Sequence, residues 1–435
     1  MNSISRCSIR FASVAIAIGL AFTATSATAR YPDRWYRMGD DPGQGVSAGP
    51  VELSGNGDTY DSVGTGGQGN LQDLTPRNSP VYVNIAASRP VPGVTTNNWA
   101  IQFDGVDDYL IGQNLNIPSE SYAAVYGGEN YAGISDRGYQ LWVKPTALPG
   151  ATFASRVLDD GEQHEFRFTS DGLWSPETRN DVVNSTATVT LNQWTHLAQV
   201  RPNGVAGGSL AWVNGVAVVS QTGDYPTSLA GLVIGANSAP DGLGGTTEPP
   251  AAGSYFKGLV DEIDMFVLGG TYGAFKYTSD NGYFTDVFLP SKSATYAYVD
   301  VTGPRGTADG HNDKVWVNGD INFDGVRTQA DVNAFVAGWR SSNASTIQGA
   351  GPKFGDYVTL GKGDLDLDGD TDIDDWVRLR AYFAGSGASL PSLESLGGVP
   401  EPGTLALAIF AWGFATLRRG KRGATILGQR SIPSC

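Results

Sequence analysis

Cysteine is almost absent from this sequence. Of its 435 residues only Cys7 and Cys435 are cysteines. Both lie in end segments whose sequence patterns predict removal by proteolysis. A mature chain without these ends contains no thiol, which excludes disulfide bonds, thiol catalysis and thiolate metal sites. We therefore expect the fold to be stabilised by apolar burial and by bound metal.

Positive charge is also scarce. The chain has 29 Lys and Arg against 44 Asp and Glu, which gives a formal net charge of −15. A nucleic-acid backbone attracts clustered Lys and Arg, and no such cluster precedes the C-terminal tail, so nucleic acid is excluded as a partner. The excess of acidic residues favours cations as binding partners.

Histidine and the common catalytic motifs are missing as well. The three histidines, His164, His196 and His311, are too scattered for a metal triad, and neither Gly-x-Ser-x-Gly nor His-Glu-x-x-His occurs. His196 follows Trp194 by two positions on a predicted strand. We interpret it as a residue on a sheet face rather than a base.

Helical periodicity is missing from residues 31–268, where short β-type runs alternate with Gly, Asn, Asp and Pro. The 58 glycines, 23 prolines and 10 tryptophans are typical of a turn-rich, mainly β protein. Asn214 and Gly215 tolerate the positive φ angles of a type I′ turn, so a tight hairpin is predicted there. The length allows two or three domains.

Five segments of this region occur in the order and spacing of a known family. They read WAIQFDGVDDY (99–109), LWVKP (141–145), NQWTHLA (192–198), AWVNG (211–215) and YFKGLVDEI (255–263). Residues 31–268 thereby resemble the LamG-like, concanavalin A-type jelly roll, which implies a sandwich of two packed antiparallel sheets. This fold carries lectins, adhesion modules and glycosidases, so it does not by itself give a function. Residues 269–314 are either a connector or late strands.

Two carboxylates at the end of the last segment, Glu262 within it and Asp264 just after it, suggest a catalytic interpretation. Laminarinase-type glycosidases of this fold carry a third carboxylate after a pair such as Glu262 and Asp264, because retaining hydrolysis needs a nucleophile and an acid/base. Here that third position holds Phe266, or Val267 in the longer form of the motif. We therefore predict that the protein is not an enzyme.

A duplicated Asp-rich loop is the sharpest motif in the chain. Gly319 to Gly325 recurs as Gly363 to Gly369, and each copy fits the 12-residue EF loop, with oxygen ligands at positions 1, 3, 5, 7, 9 and 12. Oxygen ligands favour calcium (Ca²⁺) over zinc or copper. The predicted ligands are Asp320, Asn322, Asp324, the Val326 carbonyl, Thr328 and Asp331 in loop one, and Asp364, Asp366, Asp368, the Asp370 carbonyl, Asp372 and Asp375 in loop two.

An amphipathic helix is predicted after each loop, with apolar residues at helical spacing. The two loop–helix units, residues 315–384, together resemble a dockerin domain, with Asp rather than Glu at position 12. Dockerins fold on calcium and bind a cohesin through residues late in each loop. Those positions here are Gln329-Ala330 and Ile373-Asp374 rather than the usual Ser-Thr. The resemblance therefore implies calcium binding, but it does not imply docking to a cohesin-like partner.

The N-terminal residues 1–29 have the pattern of a signal peptide. Arg6 and Arg10 precede an apolar run from Phe11 to Phe22, and Ala27-Thr28-Ala29 matches a signal peptidase site. A run of this length is too short to cross a bilayer about 30 Å thick, which disfavours a transmembrane anchor. Cleavage is expected to leave Arg30 first.

The C-terminal residues 399–422 resemble the PEP-CTERM sorting signal. Val399-Pro-Glu-Pro402 is followed by an apolar stretch and a basic cluster, and the resemblance implies cleavage by an exosortase after transient retention in the inner membrane. An uncleaved tail anchor is the alternative. Residues 385–398 are predicted to be a flexible stem, and residues 423–435 form a further tail.

These observations predict an exported protein of the cell surface or extracellular space. The expected activity is non-catalytic binding, adhesion or surface display, in which the sandwich contacts a glycan or an extracellular protein. A purely structural surface component is a second possibility. A glycoside hydrolase of the same superfamily, or a component of a polysaccharide-degrading complex, is the third.

Overall fold

The computed structural model describes residues 30–40, 46–51, 74–90, 97–112, 136–151, 153–160, 165–178, 181–201, 209–221, 232–238, 248–268, 318–324, 326–351 and 353–397. The predicted signal peptide, residues 269–314, the sorting signal and the tail lie outside these ranges. Within the described residues, no helix has the length and apolar character that a membrane crossing requires.

Strands dominate the described part of the chain. In order they are β1 (Arg30–Tyr36), β2 (Gly49–Pro50), β3 (Thr75–Arg77), β4 (Val81–Asn84), β5 (Trp99–Asp104), β6 (Tyr109–Gly112), β7 (Asp136–Pro145), β8 (Ala154–Asp159), β9 (Glu165–Thr169), β10 (Trp174–Thr178), β11 (Asp181–Val182), β12 (Thr195–Arg201), β13 (Leu210–Val213), β14 (Val216–Ser220), β15 (Leu232–Ile234) and β16 (Lys257–Leu268).

The strands form two antiparallel sheets. The described residues of the first sheet follow the order β14-β13-β12-β7-β16-β5-β4-β2, and β1 also pairs with β16. The second sheet follows the order β11-β10-β9-β8-β15-β6-β3. Side chains from both sheets meet in one core, for example Leu141 and Val143 of β7 with Leu158 of β8 and Phe168 of β9. The prediction of a mainly β jelly-roll sandwich is confirmed.

The hairpin predicted at Asn214 and Gly215 is also confirmed. These residues have φ angles of 51° and 74°, as a type I′ turn requires. The flanking strands β13 and β14 pair from Val213 and Val216 outward.

The last strand, β16, has a discontinuity on one side. It pairs with β7 along most of its length, but its other edge pairs first with β5, up to Val260, and then with β1, from Ile263 onward. At the same place the pairing with β7 shifts register between Asp261 and Asp264, and Glu262 adopts φ 47°. A β-bulge of this kind places consecutive side chains where strict alternation would separate them. We refer to this place as the seam.

Three helices lie in residues 318–397, which we call the helical module. They are α1 (Gln329–Gly338), α2 (Tyr357–Leu360) and α3 (Ile373–Tyr382). Thr328, Asp356 and Asp372 cap their N-termini, each in a reciprocal capping box, which satisfies amide groups that otherwise lack a partner. The helix predicted after each loop is therefore present in the structure.

The helical module packs on the outer face of the first sheet. Trp212 of β13 lies with its ring centroid 4.9 Å from that of Phe354, and its Nε1 donates to the Gly355 carbonyl at 3.3 Å. Asp356 Oδ2 accepts from the Ala217 amide at 2.9 Å. One apolar cluster therefore spans Ala198, Val200, Leu210, Trp212 and Ala217 of the sheet and the buried side chains of the module. We call this the module contact.

The edge of the first sheet is covered by the same module. Gln348 donates to the Val218 carbonyl and accepts from the Ser220 amide, each at 2.9 Å, so it extends the sheet beyond β14. An edge strand exposes unpaired backbone groups that can template aggregation, and this pairing removes part of that exposure.

The predicted flexible stem is ordered in the structure over residues 385–397. Leu390 and Leu393 pack against the module, and the Gln329 side chain exchanges two hydrogen bonds with the backbone of Ser389. Trp376 Nε1 donates to the Pro391 carbonyl at 3.1 Å. The expectation of a freely extended linker is wrong for these residues because they complete the apolar surface of α3.

Candidate calcium centres and a surface cleft

Loop two brings its acidic side chains together. One oxygen each of Asp364, Asp366 and Asp368 lies within 4.8 Å of the others. Asp364 is fully buried, and the Oδ1 atoms of Asp364 and Asp366 are buried without a hydrogen-bond partner. Buried acceptors without donors are costly, so a cation among them would supply the missing interaction.

The pKa values of loop two follow from this crowding. Burial raises the pKa of Asp375 to about 8 and that of Asp368 to about 6. Burial, and then the charge of Asp375, raise the pKa of Asp364 well above its ordinary value. Without a cation, the loop therefore tends to hold protons near neutral pH.

The position-12 residues close both loops from the first turn of the following helix. Asp331 Oδ1 accepts from the amides of Ile321 and Asn322, at 2.9 and 3.1 Å. Asp375 Oδ1 accepts from those of Leu365 and Asp366, at 2.6 and 3.0 Å. The shorter Asp side chain thus ties the start of each loop to its helix.

Loop one is less charged and more extensively hydrogen-bonded. Asp324 accepts from the Asn322 amide group and from the Val326 backbone amide, at 3.0 and 2.9 Å. The Asp324 amide in turn donates to Asp320 Oδ1 at 3.1 Å. Asp320 and Asp331 are fully buried, and Thr328 caps α1. Backbone amides therefore hold the side-chain oxygens of loop one, and within the described residues its acidic side chains do not form a close group of three like that of loop two.

Two predicted ligands of loop two, Asp370 and Asp372, have side chains that contact other groups. Asp372 Oδ1 accepts from the Asp374 amide at the start of α3. The Asp370 carboxylate lies 3.6 Å from the ammonium group of Lys353, which leaves its backbone carbonyl for the role predicted at position 7. The residues present fit calcium. All of their ligand atoms are oxygen, and two of these oxygens, one from Asp364 and one from Asp366, are buried without a hydrogen-bond partner.

Glu262, one of the two residues considered for catalysis, is inaccessible. It is 2% exposed and is paired with Arg37 at 3.2 Å. Asp264 follows the bulge, with its Cα paired to that of Gln140. A polysaccharide cannot reach a buried, ion-paired carboxylate, so Glu262 is not placed to act as the acid or the nucleophile of a glycosidase. His196 is buried on the sheet face, as predicted, with Nε2 3.2 Å from Gln140 Oε1.

A surface cleft of about 490 Å³ lies on the second sheet. It is formed by the outward side chains of β8 and β9 together with residues 251–254. Phe153 stands at this cleft with half of its side chain exposed, directly over Gly253. Its polar lining includes Arg156, Arg167, Ser170 and Asp171. An exposed ring beside hydrogen-bonding groups can bind a small polar ligand with apolar faces.

Sequence reasoning missed several of these residues. The cleft residues come from separate strands and loops, so no local motif marks them. Asp356 did leave a signal, because Asp356-Tyr-Val-Thr359 has the spacing of a capping box. Its contact with Ala217 could not be read from that pattern.

Residues 119–267 match the family model described as the concanavalin A-like lectin/glucanases superfamily. This match supports, over that range, the resemblance seen in the sequence. No curated protein matches the sequence.

The solved structures that match the chain have low sequence identity to it. Domain 4 of AbnA, a GH43 extracellular arabinanase from Geobacillus stearothermophilus, in complex with arabinotriose, is 16% identical with a TM-score of 0.32; the match covers 55% of this chain and 93% of that chain. A Trypanosoma rangeli sialidase is 12% identical with a TM-score of 0.30, covering 54% of this chain and 30% of the sialidase. A pentraxin from Limulus polyphemus is 15% identical with a TM-score of 0.22, covering 30% of this chain and 64% of that chain.

Proposed function

We propose that this chain is an exported, non-catalytic glycan-binding protein for surface display, in which a calcium-dependent helical module supports a concanavalin A-like sandwich. The observation that carries the binding role is the cleft around Phe153. Its volume of about 490 Å³ lies within the usual range for small-ligand sites, which is roughly 300–1,000 Å³.

The chemistry of the cleft suits a sugar. A pyranose ring has apolar C–H faces that stack on an aromatic side chain and a rim of hydroxyls that need donors and acceptors. Phe153 supplies the ring, while Arg156, Ser170 and Asp171 supply polar groups. Among the described residues that line the cleft, Asp171 is the one carboxylic acid. That composition favours binding over hydrolysis, since a glycosidase needs two carboxyl groups.

Replacing Phe153 with Ala is expected to weaken glycan binding at least tenfold, or about 1.4 kcal/mol. The reason is the loss of the stacking surface. A glycan array on the full chain in calcium identifies the ligand, and calorimetry then compares Phe153→Ala with the parent. Val106→Ala, at an exposed apolar residue of another loop, is the matched control.

Two outcomes would contradict this proposal. If Phe153→Ala and the parent bind the glycan with equal affinity, the cleft is not the glycan-binding site. Release of sugar from a polysaccharide, abolished by Asp171→Asn, would instead favour the glycoside hydrolase.

Calcium is proposed for both loops of the helical module. The support is the all-oxygen composition of the two loops and the partnerless buried oxygens of Asp364 and Asp366. When bound, calcium would supply the positive charge that loop two lacks. The side chains of Asp331 and Asp375 would continue to join each loop to its helix.

Export and sorting are proposed from the two ends of the sequence. Strand β1 begins at Arg30, the residue expected first after removal of the signal peptide. If the C-terminal signal is processed, intact-mass analysis of surface material should show a chain that starts at Arg30 and ends near Pro400. Recovery of the sequence through Cys435 in membrane fractions would indicate a plain tail anchor instead.

A further inference from the structure

The seam in the first sheet gathers buried charged groups from three segments. Arg37 and Asp40 follow the end of β1, Asn97 precedes the start of β5, and Asp261 and Glu262 form the bulge of β16. Asp40 is half-buried, and the other four residues are at most 5% exposed. One oxygen each of Asp40, Asp261 and Glu262 lies within 4.8 Å of the others.

Two oxygen atoms in this cluster lack a partner. Asn97 Nδ2 donates to Asp261 Oδ2 at 2.8 Å and to Glu262 Oε1 at 3.3 Å, so the amide of Asn97 lies against both carboxylates. Asp261 Oδ1 and Asn97 Oδ1 are buried and accept no hydrogen bond. Two partnerless buried acceptors in an acidic cluster are unfavourable unless a positive group lies between them.

The arginine residues nearby do not supply that group. Arg37 donates to Glu262 Oε1 through Nε and Nη2, at 3.3 and 3.2 Å, and so neutralises Glu262. Arg89 donates to the Asn97 carbonyl and to the Asn98 side chain. Asp40 accepts from the amides of Asn98 and Trp99. The charges of Arg37 and Arg89 also favour ionised Asp40, and that of Arg37 favours ionised Asp261. Three carboxylates and two guanidinium groups leave one negative charge in the cluster, which a cation would offset.

We propose that Asp40, Asn97 and Asp261 bind one calcium ion at the seam, with Glu262 held beside it by Arg37. The donors are all oxygen and include no His or Cys, which is the chemistry of a hard cation. Asp40 is the half-buried member of the three proposed ligands. Such an ion joins the end of β1 to the start of β5 at the point where β16 changes partner, and it fixes the sheet there.

Burial, and then the charge of Glu262, raise the pKa of Asp261 well above its ordinary value. A proton on Asp261 is therefore the alternative to a cation, and the two must be separated by experiment. A proton on Asp261 Oδ1 can donate to Asn97 Oδ1, whereas a metal ion would bind both oxygens, so calcium stoichiometry separates the two states.

The test measures calcium stoichiometry on the full chain after chelation and desalting, by calorimetry and elemental analysis. Asp261→Asn keeps the side-chain shape but removes the charge, and it is expected to bind one equivalent less than the parent. Terbium titration gives an independent readout, because the Cα of Asp261 pairs with that of Trp142. Tryptophan-sensitised terbium emission from this site should disappear in Asp261→Asn.

The controls distinguish this site from the two loops and from misfolding. Asp159→Asn removes the charge of a different buried carboxylate of the sandwich, one that accepts from the Ser238 amide, and is expected to leave the stoichiometry unchanged. Asn97→Asp adds a ligand charge, so it should tighten this one site. Unchanged stoichiometry in Asp261→Asn, or destabilisation of Asn97→Asp without tighter calcium binding, would identify a protonated Asp261 and overturn the proposal.

Discussion

Removal of calcium at neutral pH is expected to unfold the helical module and uncover Trp212. Loop two concentrates buried carboxylates that repel one another without a cation, so the free energy of calcium binding is largely free energy of folding for the module. Loop two should bind more tightly than loop one because it has more anionic ligands. Asp364→Ala with Asp375→Ala should therefore destabilise the module more than Asp320→Ala with Asp331→Ala.

Circular dichroism and tryptophan fluorescence before and after chelation measure this effect. The helical signal should fall and the emission should shift to longer wavelength, while the strand signal of the sandwich persists. An unchanged helical signal would contradict the coupling of binding to folding. Equal losses in the two double variants would contradict the order of the loops.

The pH dependence of the calcium-free protein provides a control with a defined sign. Burial raises the pKa of Asp375 to about 8 in the folded loop, above that of an unfolded Asp, which is about 3.9. The folded state then binds more protons, so the calcium-free module loses stability as pH rises from about 4 to about 8. Chelation should therefore lower the stability of the module less at acidic pH than at neutral pH.

Replacement of Trp212 with Ala is expected to cost about 3–5 kcal/mol and to separate the module from the sandwich. Trp212 is 0% exposed at the module contact, and it makes both the ring contact with Phe354 and the hydrogen bond to Gly355. Its loss leaves a cavity and an unpaired carbonyl. Calorimetry in calcium should show two transitions for this variant.

Trp174→Ala is the matched control for that experiment. Trp174 is 1% exposed in the core between the sheets and packs edge-on against Phe168, so its loss should lower the stability of the sandwich alone. If Trp174→Ala and Trp212→Ala give the same pattern of transitions, the module contact does not couple the two parts.

The local features of this fold were predictable because neighbouring residues determine them. Asn214-Gly215 selects its turn through backbone angles alone. The Asp-rich loops are likewise contiguous, and Thr328 and Asp331 form their capping box within one turn of α1. Each feature needs only residues adjacent in sequence, so pattern and geometry agree.

Features that depend on distant partners were not predictable. The seam depends on a register shift in β16 and on residues next to β1 and β5, which no local pattern relates. The module contact is partly visible in the sequence, because β13 reads Leu-Ala-Trp-Val, and all four residues are buried. A strand that is apolar on both faces indicates cover on both sides, but it does not say which segment provides the cover.

The pairing of the first strand with the last has a consequence for biosynthesis. Arg30 of β1 pairs with Leu268 of β16, so the sheet cannot close until nearly the whole sandwich has been synthesised. Such nonlocal pairing slows folding. Until β16 is complete, β1 lacks its partner and presents an open edge that β16 of another copy could occupy. The concentration of newly synthesised chains should therefore influence whether each copy closes on its own C-terminal strand.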